Sequence, residues 1–432
     1  MKISVSGIRG VYPTELNPYS ALIWTNAFCN YLDGKNIIIS RDTRISGKVL
    51  YPIVINTALS TCKNVYSLSI CPTPTSLFVI KQLNLDGGII ITASHNPSEY
   101  NALKLAIKNR FLFEEELETL KTYLNNLNFS SCIGDLIYAE NSYKIHISSI
   151  VDFIGLKIIN SSIKVAIDCV NGAGYKVFPE LIEKFGIKNI IKINCDSSGI
   201  FTRNPEPRIE HLKHLEELKD DCDLVFATDP DGDRLLFGLK NFGLFSEEWT
   251  ILVGIYEILQ REKGNIVVNY STTMLVDFIA KDFGVKVIRS KVGEANVIKK
   301  IDETRSIVGG EGNGGIIYPK FNKTRDGLLS LGLILNSYVE GRIFKLINNL
   351  PRTYFIKEKI ESDNFEEIKE KFLKEFSNLE KHFEDGLYLK ENNGWIHIRP
   401  SNTEPIIRIY AESLEKKFID YVLDFIRKCF NK

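Results

Sequence analysis

Val165-Ala166-Ile167-Asp168 is a short apolar run that passes through Asn171-Gly172-Ala173-Gly174 into a helix-like segment ending at Phe185-Gly186. An apolar run that ends in a small-residue turn and opens into an amphipathic segment predicts a strand, a turn and a helix. The same order of features recurs from Ile37 onward and from Ile266 onward. Because strands that alternate with helices form parallel sheets with right-handed crossovers, we predict three parallel-sheet α/β domains of related topology.

The pattern changes in the last part of the chain, after residue 350. A charged helical segment from Phe365 to Phe383 is followed by alternating apolar runs at 394–398 and 406–410 and by a final helix. This alternation is typical of an antiparallel sheet with helices on one side. A chain of 432 residues is also too long for one hydrophobic core. We therefore predict a smaller C-terminal α+β domain and domain bounds of 1–140, 141–243, 244–348 and 349–432.

Charge and hydropathy exclude several classes of protein. The 54 basic residues balance the 54 acidic ones, so the chain lacks the broad positive field that nucleic-acid or membrane-surface binding needs. No apolar run approaches the roughly 20 residues of a membrane span, and Met1 to Gly7 lacks the apolar core of a signal peptide. We expect a cytoplasmic protein without nucleic-acid or membrane partners, and either a monomer or a homodimer.

The eight cysteines are scattered along the chain and contain no C-x-x-C pair. A chain of this size does not need disulfides to supplement its core. We therefore predict reduced thiols.

A strand-like run from Leu224 to Thr228 leads into three carboxylates at alternating positions, Asp229, Asp231 and Asp233. Carboxylates this close repel one another unless a cation lies among them, and oxygen ligands without His or Cys favour Mg²⁺. The spacing is not that of an EF-hand, because Arg234 stands at the sixth loop position in place of glycine. The alternative is a solvated acidic turn, which the preceding apolar strand disfavours.

Another apolar run, Gly87 to Ile91, delivers Ser94 and His95 to a loop of small residues. The loop does not match the G-x-S-x-G elbow of acyl-transfer enzymes. Phosphoryl transfer instead needs positioning and charge neutralisation, which a nearby Mg²⁺ supplies. Lys104, ten residues further on, is a candidate acid or base if its pKa is depressed; a surface charge is the alternative.

Two further loops have the composition of ligand-binding sites. The segment from Arg399 to Pro405 gathers one Arg, two hydroxyls and an amide, which suits a phosphate, although a plain hairpin turn remains an alternative. The loop from Gly309 to Gly315 carries two polar side chains, Glu311 and Asn313, of a kind that can hydrogen-bond sugar hydroxyls.

Taken in their order along nearly the whole chain, these motifs resemble those of the α-D-phosphohexomutase family. That family includes phosphoglucomutase, phosphomannomutase/phosphoglucomutase and phosphoglucosamine mutase. The motifs that carry the resemblance are Ser6-Gly7-Ile8-Arg9-Gly10, Arg41-Asp42-Thr43-Arg44, the Ser94 loop, Asn204-Pro205-Glu206-Pro207, Asp229 to Arg234, Gly310 to Gly314 and Arg399 to Pro405.

The resemblance implies four domains around a central cleft, with Ser94 phosphorylated in the resting enzyme. It implies Mg²⁺ held by Asp229, Asp231, Asp233 and an oxygen on Ser94. The phosphoserine would pass its group to a hexose 1- or 6-phosphate, and the hexose 1,6-bisphosphate would reorient and return its other phosphate. The matching catalytic positions are Ser94, Lys104, Arg9, His95 and Arg234. The matching substrate-binding positions are Glu311, Asn313, Arg399, Ser401, Asn402, Thr403 and Lys291.

The chain departs from the family pattern at Gly315, where many members have a histidine. The resemblance therefore leaves the second acid or base unassigned, with Lys291 and Glu294 as secondary candidates. The motif from Ser6 to Gly10 and the loop from Gly312 to Gly315 resemble the archaeal-type phosphoglucosamine mutase branch more than the other branches of the family. Asn402 also occurs in phosphomannomutase-type phosphate loops, so both substrates stay open.

Two other classes of protein remain as alternatives. Asp229 to Gly232 resembles the D-x-D-G signature of haloacid-dehalogenase-type phosphatases, with Asp229 as nucleophile. That reading assigns no role to Ser94 or Arg399. The other alternative is a sugar-phosphate-binding protein without turnover, suggested by the missing histidine at Gly315.

Overall fold

The computed structural model describes residues 1–155, 162–362, 364–401 and 406–430 and contains four β-sheets that follow one another along the chain. The first three sheets contain parallel strands packed with helices, and the fourth is antiparallel. This arrangement confirms the predicted fold class, three α/β domains followed by a smaller α+β domain.

The first domain has eight strands and four helices. The strands are β1 (Lys2–Ser4), β2 (Gly7–Val11), β3 (Asn36–Arg41), β4 (Asn64–Ile70), β5 (Gly87–Ile91), β6 (Tyr100–Ile107), β7 (Arg110–Phe111) and β8 (Leu136–Tyr138). The helices are α1 (Pro18–Tyr31), α2 (Gly47–Ser60), α3 (Thr73–Gln82) and α4 (Glu114–Lys121). The sheet order is β1-β2-β6-β5-β3-β4-β8, with β7 beside β6.

The second and third domains have smaller sheets. The second contains α5 (Tyr143–Ile154), β9 (Lys164–Asp168), α6 (Val177–Lys184), β10 (Asn189–Ile193), α7 (Lys213–Glu216), β11 (Leu224–Thr228), β12 (Leu235–Leu239) and β13 (Gly243–Leu244). The third contains α8 (Glu248–Leu259), β14 (Ile266–Asn269), α9 (Leu275–Phe283), β15 (Val287–Ser290), α10 (Glu294–Thr304), β16 (Val308–Glu311), β17 (Gly315–Ile317), α11 (Gly327–Val339) and α12 (Arg342–Asn349). Their sheet orders are β10-β9-β11-β12-β13 and β15-β14-β16-β17.

The fourth domain is an antiparallel sheet with two helices. Its elements are β18 (Tyr354–Glu361), α13 (Phe365–Glu375), β19 (Glu380–His382), β20 (Leu387–Glu391), β21 (Gly394–Pro400), β22 (Ile406–Ser413) and α14 (Lys416–Phe430). The sheet order is β18-β22-β21-β20-β19.

The three α/β sheets share one arrangement of strands. A central strand, β3, β9 or β14, has a parallel partner on each side. In each sheet the second of these partners, β5, β11 or β16, continues through a loop into an antiparallel neighbour, β6, β12 or β17. The sheets are therefore mixed rather than purely parallel. The same loop, at the end of the last parallel strand, occurs in all three domains.

The first three domains pack on a common hydrophobic core. Apolar side chains of α3, α5, α6, α8 and α11 belong to one buried cluster that crosses all three. The fourth domain has a separate core. The three α/β domains are thus packed against one another more extensively than the fourth is packed against them.

A buried histidine in α5 joins the first three domains. The Nδ1 of His146 lies 2.9 Å from Thr75 Oγ1, and its Nε2 lies 3.0 Å from Asp326 Oδ2. Asp326 is the N-cap of α11, where its Oδ1 accepts a hydrogen bond from Leu329 N at 3.0 Å. Asn322 donates to the other carboxylate oxygen of Asp326 at 3.0 Å. The start of α11 is therefore fixed by groups from three domains.

One pair of cysteines departs from the sequence-based expectation. Cys62 and Cys132 form a disulfide, so the prediction of reduced thiols is wrong for this pair. The segment before Cys132 returns to the end of α2, where Ser130 N donates to Ser60 O at 2.9 Å. This return brings together two residues that are 70 positions apart, which their spacing in the sequence does not reveal.

Across the parts of the chain that the structure describes, none of the helices has the length and apolar character of a membrane span. The longest of them, α14, has 15 residues and a strongly charged face.

Replacing Asp326 by alanine should strongly destabilise the protein. The change removes a helix cap, leaves buried His146 without its carboxylate partner and removes one of two acceptors of the Asn322 amide. We therefore expect a loss of about 3 kcal/mol in the free energy of unfolding. Chemical denaturation measures this loss. Asn364→Ala is the matched control, since Asn364 caps α13 at the surface and should cost only about 1 kcal/mol. Equal losses for the two variants would contradict the role of Asp326 in joining the first three domains.

Candidate active site

The predicted site residues lie on equivalent loops of different domains. Ser94 follows β5, the carboxylates of residues 229–233 follow β11, and Glu311 ends β16. Each of these strands is fully buried and belongs to the parallel part of its sheet. Arg399 lies in β21 of the fourth domain.

Ser94 is held directly against the first of the three aspartates. Its Oγ donates to Asp229 Oδ2 at 2.8 Å, and its side chain is buried. The backbone of Ser94 has φ +50°, a left-handed conformation that non-glycine residues rarely adopt. Its N–H donates to Thr92 Oγ1 at 3.0 Å. A strained, hydrogen-bonded turn therefore presents this hydroxyl to the carboxylates.

Arg44 binds the backbone of the Ser94 loop. One guanidinium nitrogen donates to the carbonyl oxygens of Ser94 and Asn96, each at 2.6 Å. Its Nε donates to Asp42 Oδ2 at 2.9 Å, and Thr92 Oγ1 donates to the same oxygen at 2.6 Å. The residues from Arg41 to Arg44 thus include a scaffold that fixes the conformation of the serine loop.

The carboxylates of Asp229, Asp231 and Asp233 form a compact buried cluster. One oxygen from each lies within 4.8 Å of the others. Oδ2 of Asp231 accepts hydrogen bonds from Lys104 at 2.6 Å and Thr73 at 2.7 Å. The Oδ1 atoms of Asp231 and Asp233 have no hydrogen-bond partner among the described residues. Buried carboxylate oxygens without a donor fit a hard divalent cation.

The pKa values follow from burial and from these contacts. Burial raises the pKa of Asp229 well above its ordinary value, and the charges of Asp233 and Asp231 raise it further. Burial also acts to raise the pKa of Asp231, but the ammonium of Lys104 and the hydrogen bonds with Asp229, Lys104 and Thr73 together outweigh burial and lower that pKa. The cluster without a cation therefore carries electrostatic strain, which a bound cation would relieve.

Lys104 has a raised pKa in this arrangement, not a depressed one. Burial acts to lower the pKa, but Asp231 at 2.6 Å and Asp233 at 3.9 Å raise it above its ordinary value. Lys104 is therefore an ammonium at neutral pH. It can donate a proton or stabilise negative charge. A general base at neutral pH would need a depressed pKa, which Lys104 does not have.

Three other predicted catalytic residues surround the serine loop. Arg9 donates to the side-chain oxygen of Asn96, and burial lowers its pKa to about 10. Arg234 donates to Glu206 at 2.8 Å. Burial and the charges of nearby arginines, Arg234 first, hold the pKa of His95 well below its ordinary value, so the imidazole is neutral. This part of the site suits an anion.

Glu311 is fixed by backbone and side-chain donors. Its Oε1 accepts hydrogen bonds from Asn269 Nδ2 and Gly293 N, both at 2.8 Å. The Oδ1 of Asn313 is buried and has no hydrogen-bond partner in the described structure. Both groups can bind a polar ligand.

The glycine that replaces the family histidine has a steric reason. A Cβ atom at Gly315 would lie 2.7 Å from the carbonyl oxygen of Asp233 and 2.7 Å from the Cβ of Arg325. Any side chain at position 315 would therefore collide with the backbone of Asp233 and with Arg325.

The predicted phosphate loop is only partly described. Arg399 is buried with its Nε 3.7 Å from Asp385 Oδ1, and the other oxygen of Asp385 accepts from Val292 N at 2.8 Å. The N–H of Ser401 donates to Ile406 O at 2.8 Å. Asn402 and Thr403 lie outside the described residues. Lys291 is exposed and precedes Val292, at the contact between the third and fourth domains.

Three residues at the site were missed by sequence reasoning. Arg325 contacts Asp233, Glu311 and Glu294; Thr73 contacts Asp231; and Asp385 lies between Val292 and Arg399. Arg325 immediately precedes Asp326, the N-cap of α11. An arginine before an Asp-Gly helix start is the sequence feature that could have pointed to Arg325. Thr73 and Asp385 stand in ordinary turn sequences that give no comparable signal.

Family models match the chain in four consecutive segments. They describe phosphoglucomutase/phosphomannomutase alpha/beta/alpha domain I at residues 1–130, domain II at 141–243, domain III at 248–354 and the C-terminal domain at 359–428.

Relatives and solved structures are similar over nearly the whole chain. A phosphoglucomutase/phosphomannomutase of Thermococcus kodakarensis is 34% identical over 440 residues, covering 96% of this chain and 95% of the relative. A probable phosphoglucosamine mutase of the same organism is 33% identical, covering 95% and 94%. The structure of a phosphoglucomutase/phosphomannomutase family protein from Burkholderia thailandensis has a TM-score of 0.84 at 22% identity, covering 99% of this chain and 97% of that one. At that identity the likeness concerns the fold.

The aspartate cluster should bind a divalent cation with an affinity that depends on each carboxylate. Replacing Asp231 by asparagine should weaken Mn²⁺ binding at least about 100-fold, because it removes a charged oxygen ligand. Titration followed by electron paramagnetic resonance measures free Mn²⁺ directly. Asp302→Asn is the control, since Asp302 is an exposed carboxylate paired with Lys323. Unchanged binding in Asp231→Asn would show that the cation lies elsewhere.

Proposed function

This chain belongs to the phosphoglucomutase/phosphomannomutase family of α-D-phosphohexomutases, and we propose that it interconverts hexose 6-phosphate and hexose 1-phosphate through a phosphorylated Ser94. The observation that carries the proposal is the contact of Ser94 Oγ with Asp229 at 2.8 Å, inside a buried carboxylate cluster. A serine that served only the fold would not need a left-handed backbone against three buried carboxyl groups. The reaction is an isomerisation by intramolecular phosphoryl transfer.

The chemistry assigned to the serine loop consists of two phosphoryl transfers. In the first, a hydroxyl oxygen of the bound hexose phosphate attacks the phosphorus on Ser94, the new O–P bond forms, the Oγ–P bond breaks and the proton of the attacking hydroxyl passes to solvent. The ammonium of Lys104 donates a proton to the departing Oγ. After hexose 1,6-bisphosphate has reoriented, Ser94 Oγ attacks the phosphorus of its other phosphate and returns its proton to Lys104. The bond between that phosphorus and the sugar oxygen breaks, and the sugar oxygen takes up a proton from solvent. Arg9, Arg234 and neutral His95 surround the anion in both steps.

The proposed cation is Mg²⁺, held by Asp229, Asp231, Asp233 and an oxygen of the phosphorylated Ser94. The Oδ1 atoms of Asp231 and Asp233, which accept no hydrogen bond from the described residues, support this donor set. When bound, Mg²⁺ would neutralise charge on the transferring phosphoryl group.

The sugar and its second phosphate are assigned to the third and fourth domains. Glu311 and Asn313 are proposed to bind sugar hydroxyls, with Lys291 nearby. Arg399, Ser401, Asn402 and Thr403 are proposed to hold the phosphate that is not reacting. The arrangement is supported by a continuous series of contacts that runs from Asp233 through Arg325 and Glu311 to Gly293, and from Val292 through Asp385 to Arg399.

Among the possible sugars, we propose glucosamine phosphate. Relatives described as probable phosphoglucosamine mutases, from Thermococcus kodakarensis at 33% identity and Methanopyrus kandleri at 31%, support it. The phosphoglucomutase/phosphomannomutase of Thermococcus kodakarensis, at 34% identity, supports glucose and mannose phosphates as the second candidate.

We propose a cytoplasmic enzyme, monomeric or homodimeric, that acts on free sugar phosphates and binds neither nucleic acid nor membranes. The balanced charge of the chain supports this assignment. The Cys62–Cys132 disulfide does not exclude this assignment, because some intracellular proteins contain disulfides.

Replacing Ser94 by alanine should abolish nearly all mutase activity while leaving hexose phosphate binding largely intact. The variant loses the phosphoryl carrier and keeps Glu311 and Arg399. The measurement is the incorporation of label from radiolabelled hexose 1,6-bisphosphate, with Ser377→Ala as an exposed control serine. Acid-stable label that disappears in Ser94→Ala supports the proposal. A hydroxylamine-labile acyl phosphate on Asp229 would favour the phosphatase alternative, and no turnover of any hexose phosphate would favour a binding protein.

Among glucosamine-, mannose- and glucose-6-phosphate, glucosamine-6-phosphate should give the highest kcat/KM. Assays with Mg²⁺ and the matching bisphosphate as activator measure all three under one condition. A higher kcat/KM for mannose- or glucose-6-phosphate would replace the proposed sugar without changing the reaction class.

A further inference from the structure

Arg325 connects the aspartate cluster with the loop that carries Glu311. Its guanidinium donates to Asp233 Oδ2 at 2.7 Å and to Glu294 Oε2 at 3.1 Å, and it lies 3.4 Å from Glu311 Oε2. The side chain is buried, with 8% of its surface exposed. Each of its three nitrogens therefore faces a different carboxylate.

Arg325 contacts one oxygen of Asp233 and one oxygen of Glu311. Asp233 meets Arg325 through Oδ2, while its Oδ1 has no hydrogen-bond partner in the described chain. Glu311 is held at Oε1 by Asn269 and Gly293, while Oε2 faces Arg325. The guanidinium thus fixes the rotation of the Asp233 carboxylate without occupying its Oδ1 oxygen.

Arg325 is also firmly placed by its own surroundings. The next residue, Asp326, caps α11 and is bonded to the junction of the first three domains through His146. Thr324, the preceding residue, donates to Glu294 at 2.5 Å. The Cβ of Arg325 lies 2.7 Å from the position that a Cβ atom at Gly315 would take. The backbone of Gly315 therefore packs directly against Arg325. Because Arg325 is fixed in this way, its guanidinium can hold Asp233 and Glu311 in a defined position relative to each other.

We propose that Arg325 is a positioning residue that sets Asp233 for cation binding and Glu311 for sugar binding at the same time. The proposal rests on the proposed function, and it assigns Arg325 no proton transfer and no bond to the reacting phosphorus. Outer groups that orient metal ligands typically account for 10–100-fold in affinity.

A simpler account treats Arg325 only as a positive charge that balances three carboxylates. The two accounts differ in what they predict for cation binding. By Coulomb's law, loss of a nearby positive charge should strengthen the binding of a divalent cation. Loss of a group that orients Asp233 should weaken it. Lysine keeps the charge but cannot reproduce the planar fork of a guanidinium, so it separates the two effects.

The test is Mn²⁺ binding to the full-length, dephosphorylated protein carrying Arg325→Lys, followed by electron paramagnetic resonance. We expect binding about 10-fold weaker than in the unmodified protein, together with a raised KM for hexose phosphate. Arg342→Lys is the matched control. Arg342 makes a similar fork to buried Glu257, at 2.8 and 2.9 Å, outside the site. Thermal unfolding without Mn²⁺ reports whether each variant is folded.

A second variant, Arg325→Gln, removes the charge and makes the two accounts predict opposite signs. Weaker Mn²⁺ binding in Arg325→Gln supports positioning; tighter binding overturns it, as does unchanged binding in Arg325→Lys. These outcomes are compared with Mn²⁺ binding by the unmodified protein, so they do not depend on turnover. Failure of the proposed reaction would instead appear as absent mutase activity in a protein whose Mn²⁺ affinity still responds to Arg325.

Discussion

The structure is organised around three carboxylates that are buried within 4.8 Å of one another, those of Asp229, Asp231 and Asp233. Like charges in a buried site repel strongly, so the fold must supply compensating groups or leave room for a cation. It does both. Lys104 donates to Oδ2 of Asp231 and Arg325 to Oδ2 of Asp233, and the Oδ1 atoms of both aspartates accept no hydrogen bond from the part of the chain that the structure describes.

The compensating groups come from different domains, which explains why the domains must pack as they do. Lys104 lies in β6 of the first domain, the aspartates follow β11 of the second, and Arg325 precedes α11 of the third. Each α/β domain offers the same loop, between its last parallel strand and the antiparallel neighbour. A common core and the His146–Asp326 contact keep the three domains together. The fourth domain has its own core.

Sequence reasoning predicted the parts that are local. The apolar strands, the turns after them and the acidic or hydroxyl residues on those turns are written in consecutive positions, as at Ser94 and Asp229. It failed where a contact depends on packing between distant segments. Arg325 acts 92 positions from Asp233, the Cys62–Cys132 disulfide spans 70 positions, and the raised pKa of Lys104 depends on Asp231 of another domain. The steric reason for a glycine at position 315 also depends on Asp233 and Arg325, which are distant from it in sequence or belong to another element.

The central claim is that Ser94 and the three aspartates form one site for a phosphoryl group and a cation. The most direct measurement is anomalous X-ray diffraction from crystals of the Ser94-phosphorylated protein soaked in Mn²⁺. The account predicts one strong peak in contact with Asp229, Asp231, Asp233 and an oxygen of the phosphoserine. A peak away from Ser94, or no peak at the aspartates in crystals that bind Mn²⁺ elsewhere, would contradict it.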